Sequence, residues 1–313
     1  MKGSIHTAIS SFLLTGTLTL LLPLLFHACR SGNNELVMYS DTLVLGDNIS
    51  DTVSSAAGEK SSSEDNTIYY GIYSPAEVSG IFGRKHITYH PEILSPATNA
   101  NVFTTKTQIA LNLGIYGADL SYIQMFGSGD ASRYLDIILN LSEQLGIPAE
   151  YISDLMNRMD KNISDSDSLM QISIEAFNHI NKFLIRENQE DLAYLILAGA
   201  WIEAMYIAAH DLLNDNDPDI IKKIVEQKYS LNYLLSSMKN YYNDTSVAYV
   251  YRRLFVLKSY LNKTDIAFND KDVNIDKEHK EIHASPESIR FSPETMKKIR
   301  EIIFELRKQI LNK

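Results

Sequence analysis

The chain has 313 residues and a formal net charge of −10 at pH 7, from 39 acidic and 29 basic side chains. That balance argues against nucleic acid or an anionic lipid surface as a partner, because both reward clusters of Lys and Arg. About 220 residues have the composition of folded chain, enough for a conventional core in one or two domains.

The first predicted element is an export segment. Lys2 is followed by an apolar run, Phe12 to Phe26, that closes as Phe26-His27-Ala28-Cys29 around the single cysteine of the chain. A spanning helix wants roughly 20 predominantly apolar residues, whereas this run reaches about 18 only by counting Gly16, Ser10, Ser11 and the threonines, and Pro23 and His27 interrupt its end. The pattern is that of a bacterial lipoprotein signal, with small Ala28 where a signal peptidase needs a small side chain. It predicts Cys29 as the lipidated first residue of the mature protein, with cleavage without lipid and a retained anchor as the alternatives. Phe26 departs from the aliphatic residue usual three positions before that cysteine. A lipidated Cys29 leaves no thiol, which excludes disulfides, cysteine-based metal sites and a cysteine nucleophile together.

Residues 30–67 hold seven acids (Glu35, Asp41, Asp47, Asp51, Glu59, Glu64, Asp65) against Arg30 and Lys60, with Ser, Asn and Gly between them. Such a stretch buries too little apolar surface to offset its ordering entropy and is expected to be a flexible tether. Asp41-Thr42-Leu43 and Asp51-Thr52-Val53 within it resemble the Asp-Ser/Thr-aliphatic acceptor of O-glycosylation in exported proteins of the Bacteroidota. Thr42 and Thr52 are the candidate acceptors, and plain solvated linker residues are the other reading.

From residue 68 to 103 prolines and glycines interrupt every periodicity, so an irregular wrapping segment is expected, with one helical turn after Ser74-Pro75. His86 and His90 stand four apart, but Thr88, Tyr89 and Pro91 disfavour the helix that would aim both at one metal ion. Beyond Thr104 the pattern turns helical. Helices are predicted from Thr104 or Thr105 to about 126, then at 130–146, 149–160, 166–187, 190–213, 218–228, 230–242, 245–262 and 293–311, with Ser292-Pro293 a clear start signal. Few strands compete, so the fold class is all-α: a bundle of eight or nine helices behind the signal and the tether. The expected divisions are 1–28, 29–67, 68–103, a helical core at 104–263, a polar linker at 264–291 and an amphipathic C-terminal helix at 292–313.

Two of these helices are apolar nearly all round, which predicts a central position. One carries the small side chains Ala110, Gly114, Gly117, Ala118 and Ser121, the other Ala200, Ala204 and Ala208, so the two are expected to pack on each other. Each also holds polar residues seven apart, hence on one face: Asn112 and Asp119, then Glu203 and His210. A buried carboxylate needs a partner or stays neutral. The four residues are the candidate site, read either as a structural network with Tyr116, Tyr122 or Tyr206 as donors or as the floor of a pocket.

The stretches Leu111-Asn112-Leu113-Gly114-Ile115-Tyr116-Gly117-Ala118-Asp119-Leu120-Ser121-Tyr122 and Ala198-Gly199-Ala200-Trp201-Ile202-Glu203-Ala204-Met205-Tyr206 resemble an uncharacterised family of helical exported lipoproteins of the Bacteroidota, with the similarity running from about Tyr73 to Leu213. The resemblance implies an exported, envelope-anchored helical protein and carries over no catalytic residue. His279-Lys280-Glu281-Ile282-His283 lacks the spacing of a zinc-protease helix, and there is no phosphate-binding Gly loop, dinucleotide fingerprint or Gly-x-Ser-x-Gly elbow. No metal, cofactor or catalytic residue is therefore assigned.

The expected function is a non-enzymatic helical binding or scaffold module, held at the outer membrane of the cell envelope by its lipid, with an envelope protein or a small ligand as partner and no nucleic acid. The alternatives are a hydrolase using Glu203 or Asp119 with His210, and a glycan-binding accessory of an outer-membrane transporter. An open pocket exposing the carboxylates would favour the hydrolase, a sealed polar knot the scaffold, and a shelf of tyrosines the glycan binder.

Overall fold

The computed structural model describes residues 67–69, 89–98, 102–126, 130–162, 165–211, 218–243, 245–268, 273–278, 281–283 and 286–312. The export segment, Cys29, the tether with Thr42 and Thr52, His86 and the turn after Ser74 lie outside the described residues. Among the described residues are eight α-helices: α1 (Lys106–Phe126), α2 (Ala131–Gln144), α3 (Glu150–Lys161), α4 (Ser166–Arg186), α5 (Glu190–Asp211), α6 (Pro218–Met238), α7 (Thr245–Leu261) and α8 (Pro293–Leu311). The all-α class and its multi-helix bundle follow.

Local chemistry sets the helix ends. Thr105 Oγ1 accepts the Gln108 amide at 3.2 Å while Gln108 Oε1 takes the amides of Thr104 and Thr105, a reciprocal cap at the start of α1. Ser292 caps α8 by accepting the Thr295 amide at 3.0 Å, with Pro293 at the first helical position. At the end of α2, Gly146 takes φ +80°, its amide bonds the Glu143 carbonyl, and Ile147 reaches back to Ser142. Asn188, at φ 55°, ends α4 in the same way: its amide bonds the Ile185 carbonyl, and the Gln189 amide that of Leu184.

One expected break is absent. The predicted helices at 218–228 and 230–242 form the single helix α6, followed by a 3-10 turn at Lys239–Tyr241. Ser230 does not start a helix. Its hydroxyl donates to Gln227 Oε1 at 2.6 Å within α6 and accepts the Trp201 indole N–H of α5 at 3.2 Å, so it is not available to cap a new helix.

Helices α1 and α5 form the centre. Over Glu190–His210, α5 is long and apolar enough to cross a membrane, yet 89% of its apolar window is buried, the setting of a core helix. It packs most extensively on α1 and also on α4, α6 and α8. Two glycines set the spacing of the central pair. A Cβ on Gly114 would stand 1.9 Å from the Ile196 carbonyl oxygen, and one on Gly199 would stand 2.0 Å from that of Leu111. Backbone therefore meets backbone, the close approach that only glycine permits. Ala200, Ala204 and Ala208 are buried as expected, whereas Gly117 is half-buried and Gly199 is the closer neighbour of α1.

The stretch expected to be a polar linker contains short strands. β2 (Asp265–Phe268) pairs antiparallel with β5 (Pro286–Arg290), and β4 (Glu281–His283) pairs with both β3 (Asn274–Asp276) and β1 (Thr67–Tyr69). The register pairs isoleucine positions, Ile266 opposite Ile289 and Ile275 opposite Ile282. Such β-branched pairs stabilise a strand within otherwise charged sequence.

Candidate functional site

The polar residues of the central helices meet an arginine that the sequence pattern did not single out. Arg307, on α8, places Nε 2.7 Å from Glu203 Oε2 and Nη2 2.8 Å from Glu203 Oε1, a two-pronged ion pair with a carboxylate of zero exposure. Nη2 also donates to the Ile93 carbonyl at 2.8 Å and to Ser95 Oγ at 3.1 Å. The guanidinium lies over the Tyr206 ring, 4.0 Å from its centroid. Asp119, on α1 and equally buried, accepts the Ser95 amide at 3.1 Å through Oδ2.

The short segment around Ser95 is thus the hub. Tyr134 on α2 donates to the Ser95 carbonyl at 2.8 Å, and Tyr116 on α1 to that of Pro96 at 2.7 Å. Side chains from α1, α2 and α8 fix Ile93, Ser95 and Pro96, which lack regular strand or α-helix partners of their own. The expected tyrosine donors are accordingly redistributed. Tyr116 bonds a carbonyl, Tyr206 offers its ring, and Tyr122 accepts the His90 amide at 2.6 Å.

Of the four candidate residues, Asp119 and Glu203 come together, linked through Ser95 and Arg307. Asn112 and His210 stand elsewhere, because seven residues along a helix is a displacement of about 10 Å. Asn112 Nδ2 donates to the Gln108 carbonyl at 2.8 Å and toward that of Ile310 at 3.4 Å. His210 meets the edge of the His90 ring, with centroids 5.0 Å apart, and His90 Nδ1 lies 3.0 Å from Glu92 Oε1. A backbone bond and the His90 bond hold the Glu92 carboxyl below its ordinary value. Among the described residues no group of three His, Cys, Asp or Glu side chains has the arrangement to hold a metal.

Electrostatics divide the two buried acids. Burial, then the charge of Glu203, holds the Asp119 carboxyl well above its ordinary 3.8, against the pull of Arg307 and of the Ser95 bond. Its Oδ1 is sealed without a hydrogen-bond partner, which a neutral carboxyl tolerates far better than a charged one. Burial disfavours the charge on Arg307, but Glu203 outweighs it and keeps the guanidinium protonated. Burial, followed by Asp119, pushes the Tyr116 phenol above its usual range.

A linkage prediction follows from Asp119. A group with a raised native pKa keeps its proton in the folded chain after the unfolded chain has lost it, so it removes stability as pH rises from about 4 toward the native value. For Asp119→Asn, stability relative to wild type should increase as pH rises above about 4, measured by urea denaturation. A difference that stays constant or falls with pH would mean that Asp119 is ionised in the native chain.

Arg307 is the charged member of this network that reaches an opening. It lines, with Tyr206, Phe304, Pro96, Arg300 and Lys308, an open groove of about 830 Å³ along α8. Asp119 and Glu203 do not line it. Ser95 gave no sequence signal, since its role is positional. Arg307 did: it is a lone cation on the buried stripe of α8 beside Ile299, Ile303, Leu306 and Ile310, where a charge demands a buried counter-ion. No protein-family model, curated protein or solved structure matches this chain.

Proposed function

We propose that the protein is a non-enzymatic helical binding or scaffold module of the cell envelope, held to the outer membrane by lipid on Cys29 through the acidic tether at residues 30–67. The observation that carries the non-enzymatic part is the Glu203–Arg307 pair. Both candidate carboxylates are fully buried, and the hydrogen bonds they make join α1, α5 and α8 to the segment at 93–96. A general acid or base must come within hydrogen-bond reach of a substrate, and neither carboxylate offers such an approach. His210, the third member of the hydrolase alternative, lies with His90 instead.

The envelope part rests on the export segment ending at Cys29 and on the resemblance of residues 111–122 and 198–206 to helical lipoproteins of the Bacteroidota. Thr42 and Thr52 are then the proposed glycan acceptors of the tether. Cys29→Ser is expected to abolish fatty-acid labelling and to release the protein from the membrane fraction, and unchanged labelling would remove the anchor. A second reading, the glycan-binding accessory, is favoured by one observation. Tyr242, Tyr251 and Phe255 form an outward row with ring centroids 6.1 and 6.4 Å apart, and Tyr242 and Phe255 are 50% and 54% exposed.

A further inference from the structure

We infer that the groove along α8 is a binding site for a small ring-bearing anion, a carboxylate or phosphate monoester, with Arg307 as its fixed cationic floor. This rests on the binding-module reading above and gives that module a ligand class. The argument begins with the donors of Arg307. Among the described residues, Nε and Nη2 make every hydrogen bond that the guanidinium forms. Among the described residues Nη1 has no partner, and it is not one of the sealed polar atoms, so this edge of the guanidinium is left to solvent where Arg307 lines the groove. A guanidinium locked by a two-pronged carboxylate pair and by the Tyr206 ring loses little further freedom when it binds an oxyanion.

The rim adds to this. Arg300 and Lys308 flank the opening, and neither is drawn into a side-chain hydrogen bond or ion pair among the described residues. The acids on the same rim are engaged by their own helix, Glu301 by Lys298 at 2.7 Å and Glu305 by the Gln309 amide. Tyr206 and Phe304, with centroids 4.7 Å apart, join Pro96 as an apolar wall beside the cations. The groove volume lies within the range of roughly 300 to 1,000 Å³ usual for small-molecule clefts. Cations on one side and ring faces on the other suit a compact molecule whose anionic group bonds Nη1 while its ring lies on the wall.

The test is calorimetric titration of the full chain with glucuronate, glucose 6-phosphate and glucose, followed by recovery of each sugar. Binding of either anion, with glucose far weaker, is the expected result, and which anion binds separates a carboxylate source from a phosphate one. Arg300→Glu with Lys308→Glu leaves the buried pair in place, so the unfolding midpoint should hold while affinity falls at least about tenfold. Binding of neither anion, equal binding of glucose, or unchanged affinity in the rim variant would overturn the groove and leave the module reading standing. Chemical conversion of a bound anion, lost in the rim variant, would retain the groove and overturn the non-enzymatic reading.

Discussion

Glu203→Gln should lower the unfolding free energy of the chain by about 3 to 5 kcal/mol, the usual cost of removing one partner from a buried ion pair. The substitution keeps the shape of the side chain and an acceptor oxygen. It leaves Arg307, 8% exposed, with a charge that no remaining neighbour neutralises. Asp119 is a poor substitute, because its Oδ2 bonds the Ser95 amide and burial disfavours its charged form. Arg307→Met should cost a similar amount by stranding Glu203 and by releasing the Ile93 carbonyl and the Ser95 hydroxyl. The double variant Glu203→Met with Arg307→Met removes both charges at once, and since a buried pair often exchanges for apolar side chains at little cost, it should lie well above either single variant. Urea denaturation followed by far-ultraviolet circular dichroism would read all three. Single variants within about 1 kcal/mol of wild type would show that the pair does not hold the core together.

Gly114→Ala and Gly199→Ala should each destabilise the protein despite adding the better helix former. In an exposed helix that exchange gains about 1 kcal/mol. Here the new methyl would stand 1.9 Å from the Ile196 oxygen or 2.0 Å from the Leu111 oxygen, and both are backbone atoms that no rotamer change can move away. The axes of α1 and α5 must separate instead. Overpacking typically costs about 1 to 3 kcal/mol and occasionally more, so the net loss should fall at or beyond the upper end. Because either methyl separates the same pair of helices, the double variant should lose less than the sum. Ala149→Leu, at an exposed helix start, is the control. Wild-type midpoints in both glycine variants would mean that the helices do not meet along this line.

The central pair was legible because composition announces it. Helices apolar on every side have no outward face, and small residues spaced three or four apart report a close neighbour. The pattern gave the face but not the register, since periodicity along one helix carries no information about the axial offset of the other. Gly114 lies on the expected small face, while Gly199, beside the alanine stripe of α5, makes the matching close approach. The same limit explains the site. Asp119 and Glu203 were found as charges out of place on apolar helices, and Asn112 and His210 were grouped with them by angle alone, although each lies two turns away. Arg307 is 104 residues from Glu203. Its partner is specified by tertiary packing, which local sequence does not encode. The strands at 265–290 escaped for a different reason: ladders of three to five residues are shorter than any alternation that charged sequence can display.

The contacts of Arg307 with residues 93 and 95 span 214 and 212 positions of chain. During synthesis, every helix of the centre leaves the ribosome before the cation that completes it. Until then Glu203 has no counter-ion, and packing α5 would desolvate a charge at a cost of several kcal/mol. Long-range closure of this kind, with the cation arriving from the far end of the chain, belongs to the distant contacts that slow folding.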